Sequence, residues 1–241
     1  MDILILDIFG RFAHFRKFYT NSSSLSYSIP PRTVLMGLMA ALLGYERDSY
    51  YDIFSSDKLN ISLRKMEKTR KIMQSINYIK ATSMSAIINP REHTQIPFEI
   101  ITGEKGLHYR VYLSHKDTGI IDELEKRAKE KKFVYSPYLG AAPFNCSISY
   151  VARANGECIK EENAIETHSP LNSELIDKID IKGSNLFLVK ERMPCDMTKE
   201  RNIKKVCSYI FDENCSAVKV KLKCCSYSIN YSGMKEDIVF M

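Results

Sequence analysis

The stretch YSIPPRTVLMGLMAALLG, residues 27 to 44, decides how the rest of the chain is organised. Pro30 and Pro31 suit the first turn of a helix, where a backbone N–H would have no intrahelical partner, and Gly44 suits the left-handed position just past a helix end. Between these marks the run is apolar or small, so it has no polar face. The stretch predicts a helix of about 10 to 14 residues that is buried on two sides. It is shorter than the roughly 20 apolar residues that a membrane-spanning helix needs.

Arg32 is the charged residue of this stretch, and it lies at the start of the predicted helix. A cation there adds to the partial positive charge of the helix dipole, which slightly disfavours the helix and favours a bound anion. The position alone leaves two interpretations open. Arg32 either holds an anion such as phosphate or is a solvated side chain on the first turn.

The excess of cations lies entirely in the first part of the chain, which has 241 residues and a formal net charge of +6. Residues 1–150 contain 21 Lys and Arg against 15 Asp and Glu, whereas residues 151–241 contain 14 of each. A basic first part favours an anionic partner such as nucleic acid. The seven cysteines are odd in number and include no CxxC pair, so we expect reduced thiols in a cytoplasmic protein. No motif indicates a metal or a nucleotide cofactor, and we expect none.

Two adjoining segments lie at the N-terminus. Residues 2–9, DILILDIF, form a nearly continuous apolar run, which predicts a central strand. Residues 11–19, RFAHFRKFY, interleave four aromatic residues with Arg11, Arg16 and Lys17. Single-stranded RNA needs cations for its phosphates and flat rings for its bases. The alternative is a second strand with its aromatic residues facing inward.

The middle of the chain predicts a hairpin. Residues 59–78 are basic, and we interpret them as a surface strand followed by a hairpin. Residues 96–102 and 107–113 predict two strands joined by the glycine-bounded turn GEKG at 103–106. We therefore predict a β-hairpin within residues 80–113, which the family resemblance described below implies to be an insertion.

The remaining segments complete a fold pattern. Residues 119–132 have the spacing of an amphipathic helix, and residues 146–154 alternate as a strand does. Strand, helix, hairpin, helix, strand is the order of a ferredoxin-like βαββαβ unit. We therefore predict an α+β protein, with a ferredoxin-like, RRM-like domain over residues 1–153 and a small β-rich region over residues 154–241. The candidate strands of that region are residues 185–189, 217–222 and 225–231.

This combination resembles a known family, the CRISPR-associated family-five subunit of the type I Cascade complex. That family belongs to the RAMP superfamily of RRM-like RNA binders. The resemblance covers most of residues 1–150, and it is carried by the N-terminal strand, the basic and aromatic residues from Gly10 to Arg16, and the YSIPPRT and GLMAALLG motifs. Segments similar to the type I-B branch are HTQ at residues 93–95, YRVYL at residues 109–113 and PYLG at residues 137–140.

The resemblance implies a non-catalytic, cytoplasmic subunit, not attached to a membrane, that holds the 5′ handle of the CRISPR RNA under an extended hairpin, or thumb. Its neighbours would be the repeated backbone subunit and the large subunit of Cascade, and it would meet target DNA only indirectly. The side chains expected to contact the RNA are Arg11, Arg16, Lys17, Arg32, Lys80, Arg91, His93 and Arg110.

The alternative function is cleavage. Members of the type I-C branch cut precursor CRISPR RNA without a metal by means of a Tyr, a Lys and a His, and this chain offers His115 and Lys116 after the predicted hairpin. Such a metal-independent endoribonuclease needs a base for the ribose 2′-OH and an acid for the leaving oxygen. The two residues stand in the opposite order from the type I-C pattern, so we expect binding without cleavage. A general RRM-like RNA binder and an assembly protein without RNA contacts are further alternatives.

Overall fold

The computed structural model describes residues 1–159, 164–181 and 185–241. The first 159 residues form, in chain order, β1 (Asp2–Ala13), α1 (Arg32–Leu43), β2 (Leu59–Lys65), β3 (Arg70–Ile79), α2 (Met84–Ile88), β4 (His93–His115), α3 (Thr118–Glu130) and β5 (Cys146–Ile159). The later described residues form β6 (Ile165–Thr167), β7 (Leu171–Asn172), β8 (Ile176–Asp180), β9 (Leu188–Met197), β10 (Ile203–Asp212), β11 (Val218–Leu222), β12 (Ser226–Tyr231) and β13 (Met234–Ile238). The protein is therefore mostly β, with few helices.

Helix α1 confirms the prediction made from its two end signals. Pro31 precedes the helix, and its carbonyl accepts a hydrogen bond of 2.9 Å from the N–H of Val34. Gly44 ends the helix with φ of 87°, and its N–H donates to the carbonyl of Ala40 at 3.0 Å. A Cβ at Gly44 would lie 2.8 Å from the side chain of Val134, so both the left-handed backbone and the close approach require glycine. The helix packs against α3 and β9, which buries it on two sides.

Strand β1 is the central strand of an antiparallel sheet, as predicted. It lies between β5 and β4, and β2 lies on the far side of β4. Leu4, Leu6 and Ile8 share one hydrophobic core with α1 and α3, whereas Ile3 and Ile5 belong to a second core on the opposite face. Side chains alternate between the two faces of a strand, so a strand buried on both faces is a continuous apolar run.

The predicted hairpin between residues 96–102 and 107–113 is wrong, because both segments belong to the single strand β4. The four residues between them form a bulge. On its two sides, β1 pairs Gly10 with Leu107 and Phe12 with Thr102, so two steps along β1 oppose five steps along β4. The strand continues in the same direction through the extra residues.

Glycine explains why the bulge resembles a turn in the sequence. Gly106 has φ of 86°, and a Cβ there would lie 2.9 Å from the carbonyl oxygen of Gly10. A Cβ on Gly103 would lie 2.4 Å from the carbonyl oxygen of Gly106. Bulges and hairpin turns both need left-handed backbone and close contacts, so the same glycines are compatible with either.

The hairpin that the chain does form joins β3 to the first part of β4. Pairing runs from Arg70 opposite Thr102 to Ile79 opposite His93, and residues 80–92 with α2 connect the strands. Every residue of β3 and α2 is at least partly exposed. The β3–β4 hairpin, residues 70–102, is thus an exposed extension of the sheet.

Contrary to the prediction, the C-terminal part of the protein does not form a separate region that begins at residue 154. The boundary between residues 153 and 154 falls inside β5, which continues to Ile159. Strand β12 pairs with β5, and β13 pairs with β12, so the last strands extend the central sheet. Ile229, Tyr231 and Ile238 cover the face of β1 opposite the helices, and β9 and β10 contribute to the main core. The C-terminal part is therefore packed into the same body as the first part.

Some of the C-terminal strands were predicted and others were not. The predicted strands at 217–222 and 225–231 correspond to β11 and β12, and the one at 185–189 overlaps only the start of β9. Strand β10 pairs with β9 and β7 in a second sheet, while β11 pairs with β6 and β8 in a third. Among the described residues, no helix combines the length and apolar character needed to span a membrane.

Candidate nucleic-acid interface

Arg32 lies in the interior of the protein and not on a binding surface. Its side chain has no exposed area, and Nη1 lies 2.9 Å from Oδ1 of Asp196 on β9. Nη2 donates to the carbonyls of Leu59 and Phe54 at 2.6 and 3.1 Å. The structure contradicts the predicted contact with RNA, because the side chain of Arg32 is buried and its charge is already neutralised by Asp196.

Arg110 is also buried, on the face of β4 that strand alternation places opposite the core residues Tyr109 and Val111. Its Nε and Nη2 donate to the two carboxylate oxygens of Asp7 at 2.7 and 2.8 Å, and Nη1 donates to the hydroxyl of Tyr231 at 3.1 Å. Hydrogen bonding to Asp7 raises the pKa of Arg110 above its ordinary value. The β12–β13 hairpin covers this face, so the predicted RNA contact of Arg110 is contradicted as well.

The two cations that follow β1 have different surroundings. Lys17 is half-buried, and its Nζ lies 2.9 Å from Oε1 of Glu191, so its charge is paired. Arg16 is exposed, and its Nη2 makes a long contact of 3.5 Å with the carbonyl oxygen of Thr20. Of this pair, Arg16 is the side chain that is available to an anion.

Three of the predicted residues lie at the end of the β3–β4 hairpin, where all of them are exposed. Lys80 pairs with Glu92 at 2.8 Å across the start of the connection. Arg91 and His93 have no ion-pair partner among the described residues. The hairpin is anchored at its base, where Nδ1 of His14 lies 2.7 Å from the carbonyl oxygen of Glu99.

His115 and Lys116, the residues predicted for cleavage, do not form a common exposed site. His115 is only 8% exposed, and its Nε2 lies 2.9 Å from the carbonyl oxygen of Ile53, while its Nδ1 accepts from the N–H of Asp117 at 2.9 Å. Lys116 is exposed beside it. His115 therefore fixes two backbone segments, and neither ring nitrogen is available to a ribose. In the part of the chain that the structure describes, no three His, Cys, Asp or Glu side chains gather as metal ligands would.

Four exposed cations meet where β1, β3 and the bulge of β4 adjoin, and we call them the bulge cluster. The cross-strand row from Phe12 through Thr102 to the first residue of β3 links these elements. None of the four has an ion-pair partner among the described residues, and the nearest acidic residues in sequence are Glu67 and Glu104. The members of the bulge cluster are Arg11, Lys68, Arg70 and Lys105.

Only Arg11 of this cluster was predicted as a binding residue. The sequence shows Lys68 and Arg70 as part of a basic surface segment and Lys105 as part of a turn. Nothing in their local pattern indicates that they approach Arg11, because the approach depends on the pairing of β3 with β4 and on the bulge.

Phe9, which is exposed, and His108, which is partly buried, form an aromatic pair beside this cluster. They are cross-strand partners on β1 and β4, and their ring centroids lie 4.2 Å apart with an angle of 27° between the planes. Neither residue was predicted as a binding residue, and Phe9 was predicted only as part of a central strand. The signal that could have found them is the alternation of β1, which puts Phe9 on the face opposite the helices.

A second open surface lies beside α1, and we call it the tyrosine groove. It has a volume of about 790 Å³, and the exposed face of the helix with Gly37 forms its floor. Arg47 is an exposed cation at this groove, whereas Arg201 there pairs with Asp48 at 2.9 Å. The aromatic rings that line the groove are Tyr45, Tyr50, Tyr135 and Tyr138.

These features define a class of protein, in which an antiparallel, helix-backed sheet extends into an exposed hairpin with exposed cations at its base. The sequence profile of the family described as CRISPR-associated protein (Cas_Cas5) matches residues 3–176. The match spans most of the chain, and the chain belongs to this family. The resemblance predicted from the sequence is thereby confirmed.

Solved structures agree on the fold. The chain is similar over its full length, and over the full length of the other chain, to a CRISPR protein from Archaeoglobus fulgidus, with a TM-score of 0.62 and 12% identity. A chain of a CRISPR RNA-guided surveillance complex matches over 98% of this chain and 91% of its own, with 12% identity and a TM-score of 0.46. At such identities only the fold is shown, and the comparison rests on the first of the two. No curated protein matches the sequence.

Proposed function

We propose that the protein is a subunit of a CRISPR RNA-guided effector complex, a Cascade of the type I-B kind, and that it binds the 5′ handle of the CRISPR RNA without cutting it. Membership of the family supports the link to CRISPR. The observation that carries RNA binding is the bulge cluster, whose exposed cations lie beside the exposed ring of Phe9 and its stacking partner His108. Cations suit the phosphates of a single strand, and rings suit its unstacked bases.

The arrangement of the strands supports an RRM-like core of the ferredoxin type. Elements β1, α1, β2, β4, α3 and β5 follow one another as strand, helix, strand, strand, helix, strand. In the sheet, β1 lies between the last strand of this series, β5, and its third strand, β4. On this assignment β3 is the inserted element, and the β3–β4 hairpin is the thumb.

The exposed cations define a path for the RNA. From the bulge cluster, the path passes Lys71, whose Nζ is already paired with Oε2 of Glu99 at 3.3 Å, and continues to Arg16, which is bridged to Ser26. It then follows the hairpin to Arg91 and His93. Each phosphate that one of these cations neutralises releases counterions, so binding should weaken steeply as salt is added.

The end of the hairpin suits a protein partner better than RNA. Met84, Ile87 and Ile88 of α2 are 71%, 57% and 78% exposed. An exposed apolar cluster of this kind marks a contact surface between proteins. We assign it to a neighbouring subunit of the complex, either the repeated backbone subunit or the large subunit, and the protein would meet target DNA only through the assembled complex.

Binding and cleavage can be tested in one experiment. The purified chain is incubated with labelled repeat RNA in the presence of EDTA, and both retention and integrity of the RNA are followed. The proposal expects intact RNA, held in a salt-sensitive way through its 5′ handle and held more weakly by Arg70→Glu. The matched control is Lys126→Glu, which reverses an exposed charge on α3. Equal retention by the two variants would refute the proposed surface.

The same experiment decides on the alternative function. Specific cleavage in EDTA that is lost in His115→Ala would identify a metal-independent endoribonuclease of the type I-C kind. The proposal expects no cleavage by either protein. His115→Ala removes two backbone contacts, so its folding is checked by circular dichroism before its activity is compared.

A further inference from the structure

We propose that Phe9 and His108 form a stacking site for one unpaired base of the bound RNA. The site is the open cleft between β1, β4 and the start of β5, which we call the Phe9 cleft. The inference rests on the proposed function and adds a specific subsite to it.

The first observation is that the β12–β13 hairpin covers only part of one face of β1. Ile3, Ile5, Asp7 and Phe9 share one face of β1. Ile3 and Ile5 are fully buried and Asp7 is 7% exposed, because the β12–β13 hairpin with Tyr231 lies over them, whereas Phe9 is 39% exposed. The uncovered part of this face therefore begins at an aromatic ring on the central strand. A single exposed Phe is common on protein surfaces, so this observation needs support from others.

The second observation is that the ring is held in place. His108 stacks on Phe9 with a centroid distance of 4.2 Å, and Nε2 of His108 lies 3.1 Å from Oδ2 of Asp7. This is ion-pair distance, although the atoms are not aligned as a hydrogen bond. Asp7 is itself fixed by two hydrogen bonds from Arg110. The aromatic pair is thus supported from behind by a buried network, and a preorganised surface loses little entropy when a base stacks on it.

The third observation is the chemistry around the rings. The Phe9 cleft has a volume of about 550 Å³ and is lined by Arg11, Lys105, Glu67 and Asn145 in addition to the aromatic pair. Arg11 and Lys105 belong to the bulge cluster and can neutralise a phosphate on either side of the base. The carboxylate of Glu67 accepts hydrogen bonds, and the amide of Asn145 both donates and accepts. Rings, cations and edge-reading groups in one cleft fit a nucleotide of a single strand better than a simple anion.

The tyrosine groove is the competing position for a base. It offers aromatic rings, but one of its two arginines is paired with Asp48, and the other, Arg47, also lies within 3.5 Å of that carboxylate. The Phe9 cleft has two cations without an ion-pair partner among the described residues. Electrostatic attraction of RNA therefore favours the Phe9 cleft.

The test uses the full chain and a set of handle RNAs, each with 2-aminopurine at one position, because the fluorescence of this base is quenched when it stacks on an aromatic ring. We expect one position to be quenched by the parent protein. Phe9→Leu keeps an apolar side chain but removes the ring, so it should abolish that quenching and weaken binding by about 5- to 150-fold, the range for loss of one base–aromatic stack. Phe9→Tyr should restore both.

Each other outcome is decisive. If Phe9→Leu binds and quenches like the parent, or if the quenched position responds instead to Tyr138→Leu in the tyrosine groove, the subsite is refuted while the proposed function stands. If the parent binds no handle RNA, the proposed function fails and the subsite fails with it. Thermal unfolding of each variant separates loss of the ring from loss of the fold. Lys105→Gln gives a second variant of the Phe9 cleft, at a side chain that is exposed and has no ion-pair partner among the described residues.

Discussion

Arg32 at the start of α1 and Asp196 on β9 form a buried ion pair, with 2.9 Å between Nη1 and Oδ1. Asp196 also accepts from the N–H of Ser56 at 3.0 Å and from its hydroxyl at 2.5 Å. Through this pair, the helix, the segment before β2 and a strand of the C-terminal part are tied to one another. The pair links parts of the chain that the sequence assigns to two regions.

Arg32→Ala should therefore act on stability. It leaves the carboxylate of Asp196 buried without its cation and leaves three carbonyls without their donor, and breaking a buried pair from one side typically costs about 3–5 kcal/mol. We expect a fall of this size in the free energy of unfolding, measured by urea denaturation. Arg16→Ala is the control, because Arg16 is exposed and should leave the unfolding transition within about 0.5 kcal/mol of the parent. A stable Arg32→Ala protein that has lost RNA binding would contradict this role.

Arg32 also shows where sequence reasoning ends. Its position on the first turn is local information that follows from the predicted ends of α1, but the carboxylate that neutralises it is 164 residues away. A cation near a helix N-terminus looks the same in the sequence whether it faces solvent or a buried acid. The same holds for Arg110, whose face on β4 followed from alternation while its cover came from β12 and β13.

Elements with local signals were predicted, and those defined by pairing were not. The β1 strand and helices α1 and α3 follow from apolar periodicity and end signals alone. The true hairpin required knowing that β3, with no buried residue and no apolar alternation, pairs with the first part of β4. The bulge cluster is a consequence of that pairing, and the Phe9 cleft depends on the pairing of β1 with β4 and β5, so neither could be located from local patterns alone.

Two deletions near β4 should differ sharply in their effect on the stability of the protein. Removing Gly103–Gly106 leaves one step on β4, from Thr102 to Leu107, opposite two steps on β1, from Gly10 to Phe12. A one-residue slip turns the side chains of one part of β4 to the wrong face, so we expect loss of several kcal/mol of stability or failure to fold. Thermal unfolding would detect this, and an unchanged melting temperature would contradict the bulge.

The contrasting deletion replaces residues 80–92 by an Asn-Gly turn between Ile79 and His93, which are already paired. Because no residue of α2 is buried, this change should alter the free energy of unfolding by no more than about 1 kcal/mol. It should nevertheless impair assembly with the other subunits, measured by co-purification. A shortened protein that assembles like the parent would show that α2 is not a contact surface.

The bulge cluster should be visible in the salt dependence of RNA binding. For single-stranded nucleic acid, the slope of log K against log salt falls by about 0.7 for each phosphate contact that is lost. Arg70→Gln and Lys105→Gln should each reduce the slope by about this amount, whereas Lys126→Gln on α3 should leave it unchanged. Fluorescence anisotropy at several salt concentrations gives the slopes. Equal slopes for all three variants would place the phosphates elsewhere.

His168 should make the protein less stable in mild acid. Burial, and to a smaller extent the charge of Arg64, lower the pKa of His168 to about 4, below the value of about 6.5 expected in the unfolded chain. Between these values the unfolded chain binds a proton that the native protein does not, so the stability due to neutral His168 is complete above pH 6.5 and is lost as the pH falls towards 4. Over this window the parent should lose about 2–3 kcal/mol more than His168→Gln, measured by urea denaturation at each pH. Burial also lowers the pKa of His14, but His14 is present in both proteins, so the difference between them isolates His168. Parallel stability curves for parent and variant would mean that His168 is not held neutral by its surroundings.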